Sequence, residues 1–461
     1  MTFRSIDPAT EVEIGQYPGH TKTEVEDRLE RAVEAQRQWA ARNIADRSLV
    51  VRAIGERLLV RIDECAAMIT SEMGKPLTQS IAEVRKCASV LDYMSTAALH
   101  ELRDVNIAAE YASSFVRYEP LGLVLSIMPW NFPLWQFFRF AAPSLMAGNG
   151  IMLKHAPTTW GCAELAVDIC REGGLPDALV NTLRIDVADV ESVVADQRIN
   201  AVTFTGSTRG GSAVGALAGK YVKKSVLELG GSDAYIVRED ADVDHAARVC
   251  VLQRCSNAGQ SCISAKRFIV HRRIAQEFRD RVVARMGELV IGDPTDPSVG
   301  MGPLARADLK ETLLRQVSQA INEGATLLVD GRPQSAEALD IGGVGYFVKP
   351  GLLVDVQPNS TANNEELFGP VAAMITVDSD EEAVTIANGS MYGLGAAVFT
   401  NDNVKADQLA RQLQCGNVFI NDFVRSDPRL PFGGVKMSGY GRELGRPGLL
   451  EFVNIKTVVQ P

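Results

Sequence analysis

The chain has 461 residues, of which 46% are hydrophobic and 23% are charged, and its glycines and prolines are spread along the sequence. This composition is typical of a folded globular protein of roughly three domains and argues against disorder. The formal net charge of −10 and the pI near 5.2 argue against a surface for nucleic acid or acidic membranes, but leave room for a local basic pocket that binds a small anion.

The first hundred residues are predicted to be mainly helical. Apolar residues at helical spacing predict one helix over residues 21–43 and another over 46–73, which Gly74-Lys75-Pro76 ends. Two later segments, 104–118 and 452–459, are predicted to be extended. We expect these two segments to pair with one another or with another subunit.

From residue 121 onward, strands and helices alternate. Strands are predicted at 121–128, 151–154, 180–185, 201–205 and 225–229, with helices at 134–146, 160–170, 187–195 and from 210. This order predicts a parallel sheet with helices on both faces, as in nucleotide-binding folds. A second α/β unit follows, with predicted strands at 234–237, 267–270, 372–377 and 418–421 and a helix at 274–289.

The cysteines and the amino terminus favour a reducing compartment. The eight cysteines contain no Cys-x-x-Cys pair and the five histidines do not cluster near them, so neither a metal site nor a disulfide framework is expected. The first eight residues lack the apolar core of a signal peptide, and no run approaches the ~20 apolar residues of a membrane span. We therefore expect a cytoplasmic protein that binds neither membranes nor nucleic acid.

Cys262 is the best candidate for a nucleophile, because it follows the small and polar run Asn257-Ala258-Gly259-Gln260-Ser261. A thiol reacts as the thiolate, so this role requires surroundings that lower its pKa from about 8.5. The alternative is an inert, buried cysteine that only fills space.

A second motif, Phe204-Thr205-Gly206-Ser207-Thr208, places a glycine turn between a predicted strand and a predicted helix. Free N–H groups at the start of that helix favour a phosphate there. The spacing is not Gly-x-Gly-x-x-Gly, so a purely structural turn stays open.

Three further motifs carry polar groups at strand ends or turns. Glu228 ends an apolar strand, where desolvation favours a general base, and the Asn131 amide is suited to stabilise an oxyanion. Glu366 and Phe368 offer a carboxylate and a ring for a ribose and a flat heterocycle. Each also has a plain structural interpretation as a strand-end or turn residue.

Taken in order, five motifs resemble the aldehyde dehydrogenase superfamily. The motifs are Trp130-Asn131-Phe132-Pro133, Phe204-Thr205-Gly206-Ser207-Thr208, Glu228-Leu229-Gly230-Gly231, Gly259-Gln260-Ser261-Cys262 and Glu366-Leu367-Phe368-Gly369-Pro370. The short length and the runs Lys154-His155-Ala156-Pro157 and Arg425-Ser426-Asp427-Pro428-Arg429-Leu430-Pro431-Phe432-Gly433-Gly434 look most like the short succinate-semialdehyde dehydrogenases. The resemblance implies that Cys262 attacks an aldehyde, that Asn131 stabilises the oxyanion, and that Glu228 activates water. The implied reaction is oxidation of succinate semialdehyde to succinate through a thiohemiacetal and a thioester.

The resemblance also implies a nicotinamide cofactor, held by Trp130, Lys154, Pro157, Gly206, Ser207, Leu229, Glu366 and Phe368. Many relatives that prefer NAD carry a glutamate where this chain has Pro157. Without that carboxylate nothing repels a 2′-phosphate, and Lys154 can donate to it, so we expect use of both NAD and NADP.

For a semialdehyde, the resemblance assigns the far carboxylate to Arg139. Our hypothesis is that Arg425 or Ser426 provides the second partner, and we expect Trp135 to line an apolar substrate tunnel. Some relatives have a second arginine six residues before the cysteine, where this chain has Ser256. A broader aliphatic or aromatic aldehyde dehydrogenase is the alternative, since aromatic residues flank Arg139.

The resulting expectation is an α/β fold with a Rossmann-like dinucleotide-binding domain, a second α/β catalytic domain and a small β oligomerisation arm. The domains are expected to comprise residues 1–103 with 121–229, residues 230–430, and residues 104–120 with 446–461, respectively. The extended arm and tail favour a homodimer or homotetramer.

Overall fold

A computed structural model describes residues 1–461. The helices are α1 (Lys22–Ala41), α2 (Ile44–Val60), α3 (Ile62–Met73), α4 (Leu77–Glu101), α5 (Pro133–Ala147), α6 (Trp160–Glu172), α7 (Val190–Ala195), α8 (Thr208–Lys220), α9 (Val243–Cys255), α10 (Arg272–Gly287), α11 (Ala307–Asn322), α12 (Thr361–Asn364), α13 (Asp380–Asn388), α14 (Asn403–Gln412) and α15 (Gly445–Leu450). None of them has both the length and the hydropathy required to span a bilayer.

The strands are β1 (Thr2–Ile6), β2 (Glu13–Pro18), β3 (Val105–Asn106), β4 (Ser113–Pro120), β5 (Leu123–Met128), β6 (Gly150–His155), β7 (Val180–Thr182), β8 (Ile199–Thr205), β9 (Lys224–Glu228), β10 (Asp233–Val237), β11 (Ala265–His271), β12 (Thr326–Val329), β13 (Arg332–Gln334), β14 (Gly351–Val354), β15 (Val371–Val377), β16 (Tyr392–Gly393), β17 (Gly395–Phe399), β18 (Asn417–Ile420), β19 (Val435–Lys436), β20 (Gly439–Tyr440) and β21 (Val453–Gln460).

The first large sheet has the order β20-β9-β8-β5-β6-β7. Its five strands from β5 to β9 are parallel, which confirms the predicted alternation of strands and helices. The short β20 adds an antiparallel edge that the sequence pattern did not indicate. The carboxyl ends of these parallel strands meet at one edge, where α/β folds bind ligands.

The second large sheet has the order β13-β12-β14-β15-β11-β10-β17-β18. The six strands from β14 to β18 in that order are parallel, and β12 and β13 extend the edge in antiparallel fashion. The mixed α/β architecture therefore agrees with the predicted fold class.

The two extended segments pair with each other, as expected. Strands β4 and β21 form an antiparallel ladder from Ser113 opposite Gln460 to Pro120 opposite Val453, and β3 pairs with the other edge of β4. The amino terminus forms a separate hairpin of β1 and β2, which the sequence analysis did not predict.

The predicted helix over residues 46–73 is two helices, because the chain bends at Arg61 between α2 and α3. A break of one residue leaves the apolar periodicity almost intact, so the pattern does not reveal it. The predicted end of this segment is confirmed, since Gly74 has a φ of 75°, a conformation that glycine adopts without strain.

Candidate active site

A cavity of about 420 Å³ opens at the carboxyl ends of β5, β6, β8 and β9, a size typical of ligand sites. It brings together residues from motifs that are far apart in sequence. Of the predicted site residues, it is lined by Trp130, Asn131, Lys154, Gly206, Ser207, Leu229, Cys262, Glu366 and Phe368. Gln136, His155 and Arg306 also line it, although the sequence analysis did not select them.

The glycine turn after β8 leads into α8, as predicted. Ser207 caps this helix, because its hydroxyl accepts a hydrogen bond of 3.2 Å from the Gly210 N–H. The Gly206 N–H donates to the Glu228 carbonyl at 3.0 Å, which fixes the turn to the neighbouring strand. Both residues line the cavity, so the positive end of the α8 dipole lies beside it.

Lys154 supplies a positive charge to the lining of this cavity. It lies near the end of β6, its side chain is buried, and burial lowers the pKa of its ammonium group. No carboxylate lies within ion-pair distance of Lys154, so the site fits an anionic group such as a phosphate. Pro157 is exposed and does not line the cavity, unlike the other residues expected to hold a cofactor.

Glu366 and Phe368 also line this cavity. Glu366 accepts a hydrogen bond of 3.1 Å from the Gly231 N–H and lies 3.0 Å from the Lys266 ammonium. The Phe368 ring meets the Trp130 ring edge to face at 5.8 Å. Two aromatic rings and a carboxylate therefore line this part of the cavity.

Cys262 follows a strained turn, in which Asn257 and Ala258 have φ angles of 54° and 51°. Cys262 is half-buried and lines the cavity, and the Lys266 ammonium donates to the carbonyl oxygens of Ser261 and Cys262 at 2.8 and 2.7 Å. Burial nevertheless raises the pKa of Cys262 to about 12, against the opposing charge of Lys266. This is a correction, since a nucleophile was expected to have a lowered pKa in the free protein.

Hydrogen bonds hold both the side chain and the backbone of Asn131. Its Nδ2 donates to the Gln260 carbonyl at 3.0 Å, and its own backbone carbonyl accepts from Asn257 Nδ2 at 2.9 Å and Lys75 Nζ at 3.1 Å. An amide nitrogen has two donors, so one N–H of Asn131 is free to point into the cavity.

A buried ion pair contacts the loop that carries Asn131. Lys75 pairs with Glu83, and Glu83 accepts hydrogen bonds of 3.0 Å from the N–H groups of Leu134 and Trp135 at the start of α5. The pair therefore connects α4 to both the Asn131 loop and the helix that follows it.

Glu228 ends β9 with only 3% of its surface exposed, and its Oε1 atom has no hydrogen-bond partner. Burial raises its pKa well above the ordinary value, and the nearby Glu443 raises it further, whereas Arg139 and Arg442 oppose this shift. A buried carboxyl with a raised pKa has the property that a general base requires at neutral pH.

These features agree with the comparison to protein families, in which the model described as "Aldehyde dehydrogenase family" matches residues 1–458. The chain belongs to the aldehyde dehydrogenase family. It is 44% identical to the succinate semialdehyde dehydrogenase [NAD(P)+] Sad of Escherichia coli, across 98% of this chain and 97% of the relative. It is also 44% identical to a probable succinate-semialdehyde dehydrogenase [NADP(+)] of Synechocystis sp., across 99% of both chains.

Among solved structures, the chain is similar to the succinic semialdehyde dehydrogenase of Streptococcus pyogenes in complex with NADP+. The TM-score is 0.96 and the sequence identity is 34%, with 100% of both chains covered. The similarity therefore extends over the entire aldehyde dehydrogenase fold.

A second cavity of the aldehyde dehydrogenase, of about 430 Å³, lies on the other side of the cysteine segment. Ser261 and Ile263, which flank Cys262 in sequence, line it. The predicted substrate residues Trp135, Arg425 and Ser426 line it as well, together with Lys75, Gln79, Ala82, Glu83, Lys86, Phe132, Gln253, Ser256, Phe423 and Val424.

Arg139 lies outside both cavities, which corrects the expected contact with a substrate carboxylate. Its side chain is only 2% exposed and forms a buried ion pair with Glu443, and its guanidinium lies 4.9 Å from the Phe432 ring. Every residue of α5 is buried, so an arginine on this helix requires an internal partner. Its charge acts instead on Glu443 and, through space, on Glu228.

The largest cavity of the aldehyde dehydrogenase, about 980 Å³, lies elsewhere. It is bordered by the amino-terminal hairpin, α3 and the loops at 291–295 and 341–347. None of the predicted site residues lines it, so its size gives no reason to place the chemistry there.

Proposed function

We propose that this aldehyde dehydrogenase oxidises succinate semialdehyde to succinate with NADP or NAD. The observation that carries this proposal is that Cys262 lines a cavity of about 420 Å³ while its chain neighbours Ser261 and Ile263 line a second cavity of about 430 Å³. One contains the residues expected to hold a nicotinamide dinucleotide, and the other contains cationic and hydroxyl groups suited to an acidic substrate. The names of the relatives from Escherichia coli and Synechocystis sp. support this substrate.

In the first step, the Cys262 sulfur attacks the aldehyde carbon and a C–S bond forms. The carbonyl oxygen becomes an oxyanion, which the free N–H of Asn131 and the Cys262 backbone N–H stabilise. Because burial raises the pKa of the Cys262 thiol, its proton must pass to solvent water before or during this attack.

A bound nicotinamide cofactor would supply the hydride acceptor for the carbon attached to sulfur. The acyl group then remains on Cys262 as a thioester. Glu228 takes a proton from water, the water oxygen attacks the thioester carbon, and the C–S bond breaks to release the carboxylic acid. The raised pKa of Glu228 supports this role, because a more basic carboxylate removes a proton from water more readily.

For the cofactor, we assign Lys154 to the adenosine ribose or its 2′-phosphate, and Ser207 with the start of α8 to the pyrophosphate. Glu366 would hold the second ribose. We assign Trp130, Gly206, Leu229 and Phe368 to the walls of this site, with Pro157 outside it as the residue that leaves a 2′-phosphate unopposed.

The domain roles are part of the same proposal. The first sheet with α1 to α8 would bind the dinucleotide, the second sheet would carry the nucleophile, and the ladder of β4 and β21 would join subunits of a homodimer or homotetramer. Eight unpaired cysteines support a reducing compartment, and we place the enzyme in the cytoplasm.

Steady-state kinetics test the proposed reaction. The purified protein is assayed with succinate semialdehyde, glutarate semialdehyde and butanal, each with NADP and NAD, by absorbance of the reduced nicotinamide. We expect the highest kcat/KM with succinate semialdehyde and activity with both cofactors. Equal kcat/KM for succinate semialdehyde and butanal would contradict the proposed substrate.

The alternative function is oxidation of a broader range of aliphatic or aromatic aldehydes. The observation that favours it is the group of aromatic rings around the second cavity, namely Phe132, Trp135 and Phe423. The same assay decides between the two, because a broad enzyme would oxidise the neutral butanal at least as efficiently as the two acidic semialdehydes.

A further inference from the structure

We infer that Lys86 and Ser426 form the subsite that binds the carboxylate of the semialdehyde, an inference that rests on the proposed function. Neither the position of Arg139 nor that of Arg425 suits this task, as the contacts below show. Lys86 lies outside every motif that the sequence analysis selected.

The geometry places Lys86 on the wall of the second cavity. It belongs to α4, where Gln79, Ala82, Glu83 and Lys86 follow the spacing of one helix face and all line the cavity. The Lys86 ammonium lies 4.2 Å from the centre of the Trp135 ring and donates a hydrogen bond of 2.7 Å to the Ser426 hydroxyl.

Because Ser426 accepts from Lys86, its own hydroxyl proton remains available for a further acceptor. A carboxylate beside the pair would receive one bond from the ammonium and one from the hydroxyl. The Trp135 ring beneath Lys86 favours a cation at this place and gives the methylene chain of a short substrate an apolar wall.

None of the carboxylates around the second cavity forms an ion pair with Lys86. Arg425 is half exposed and pairs with Asp422 at 2.8 Å. The other carboxylates nearby are also engaged, since Glu83 pairs with Lys75, Asp427 with Arg429, and Glu443 with Arg139. Lys86 is therefore the cation beside this cavity that a substrate carboxylate would neutralise.

The electrostatics around Lys86 are compatible with an anion beside it. Burial lowers the pKa of the Lys86 ammonium to about 8, and the positive charge of Arg139 acts in the same direction. Glu83 and Cys87 on α4, and Asp427 in the loop between β18 and β19, raise this pKa. Below pH 8 the group is mainly charged and can bind an anion.

The substitution Lys86→Met tests the assignment by removing the charge while keeping an unbranched apolar side chain beside Trp135. We expect kcat/KM for succinate semialdehyde to fall about 10- to 100-fold, because a hydrogen bond to a charged group is lost. For butanal, which has the same number of carbons and no carboxylate, we expect a change below about threefold. Lys86→Arg should keep part of the preference for the acidic substrate.

Arg85 provides the matched control, since it is the next residue on α4 and its side chain is exposed. Arg85→Met removes the same charge from the same helix, and we expect kcat/KM for both aldehydes to stay within about twofold. If Lys86→Met misfolds, the Lys86→Arg variant and the pH profile of the wild type provide the test.

In the wild type, the ratio of kcat/KM for succinate semialdehyde to that for butanal should fall as pH rises through about 8, because Lys86 loses its charge. Lys86→Arg should not show this fall. The ratio removes the contribution of Cys262, which acts on both aldehydes.

The outcomes separate the two claims. A wild-type enzyme without preference for succinate semialdehyde over butanal refutes the proposed function. A wild-type preference that survives unchanged in Lys86→Met, or an equal loss for both aldehydes in that variant, refutes the carboxylate subsite alone.

Discussion

The role of Lys154 in cofactor use can be tested with the substitution Lys154→Met. In the structure this ammonium is buried at the end of β6, lines the first cavity and has no carboxylate partner. Methionine preserves most of the side-chain length and removes only the charge. The variant therefore measures what the charge contributes to the binding of each cofactor.

The expected magnitude differs between the two cofactors. With NADP, the variant would leave a 2′-phosphate without its cation, and a hydrogen bond to a charged group contributes about 1.5–3 kcal/mol. That corresponds to a loss of about 10- to 150-fold in kcat/KM. With NAD only a hydroxyl loses its donor, at about 0.5–1.5 kcal/mol, so the loss should be about 2- to 10-fold.

The assay is the initial rate of reduced-nicotinamide formation at saturating aldehyde, with each cofactor varied in turn. Lys405→Met is the control, because Lys405 is exposed on α14 and away from both cavities. The converse change, Pro157→Glu, should lower kcat/KM for NADP by about tenfold or more and leave NAD use nearly unchanged, since a carboxylate repels the 2′-phosphate. Equal losses with both cofactors in Lys154→Met would refute the assigned contact.

Three further predictions concern the groups around Cys262. Asn131→Ala should lower kcat about 10²- to 10³-fold with unchanged cofactor affinity, which stopped-flow rates and fluorescence titration can measure; retained kcat would exclude the amide from the oxyanion site. Glu228→Gln should release about one equivalent of reduced cofactor per active site and then stall. It should also lack the wild-type rise of kcat with pH, because a carboxyl with a raised pKa becomes a base only at higher pH. Glu83→Gln should lower the free energy of unfolding in urea by about 3–5 kcal/mol, because Lys75 remains buried and unpaired, whereas the exposed Glu34→Gln should change it by less than about 0.5; similar effects of both would contradict the importance of the pair.

The sequence predicted the regular parts of the fold because they repeat a local pattern. The strands from β5 to β9 are short apolar runs bounded by turns. The segments of β4 and β21 were expected to pair with one another or with another subunit, and the structure pairs them with one another. The bend at Arg61 and the edge strand β20 were missed. The strand β20 exists only through its pairing with the distant β9, whereas the bend at Arg61 leaves the local periodicity almost intact.

The same distinction holds for the site. Motifs located most residues of the first cavity, since those that follow β5, β8 and β9 meet at one edge of the first sheet. They did not indicate that Glu443 lies beside Arg139. This long-range ion pair holds the Arg139 side chain in the protein interior, outside the proposed substrate cavity. Nor did they select Lys86, which on sequence alone is one charged residue on an amphipathic helix. The raised pKa of Cys262 likewise results from burial in the folded chain.

The acylation of Cys262 is the central claim, and mass spectrometry of enzyme quenched during turnover tests it most directly. Glu228→Gln, which should slow hydrolysis of the thioester, is mixed with succinate semialdehyde and NADP, quenched in acid and digested. The account predicts a mass increase equal to one succinyl group on the peptide that contains Cys262, absent when aldehyde or cofactor is omitted. Full turnover without any such adduct, or an adduct on another cysteine, would contradict it.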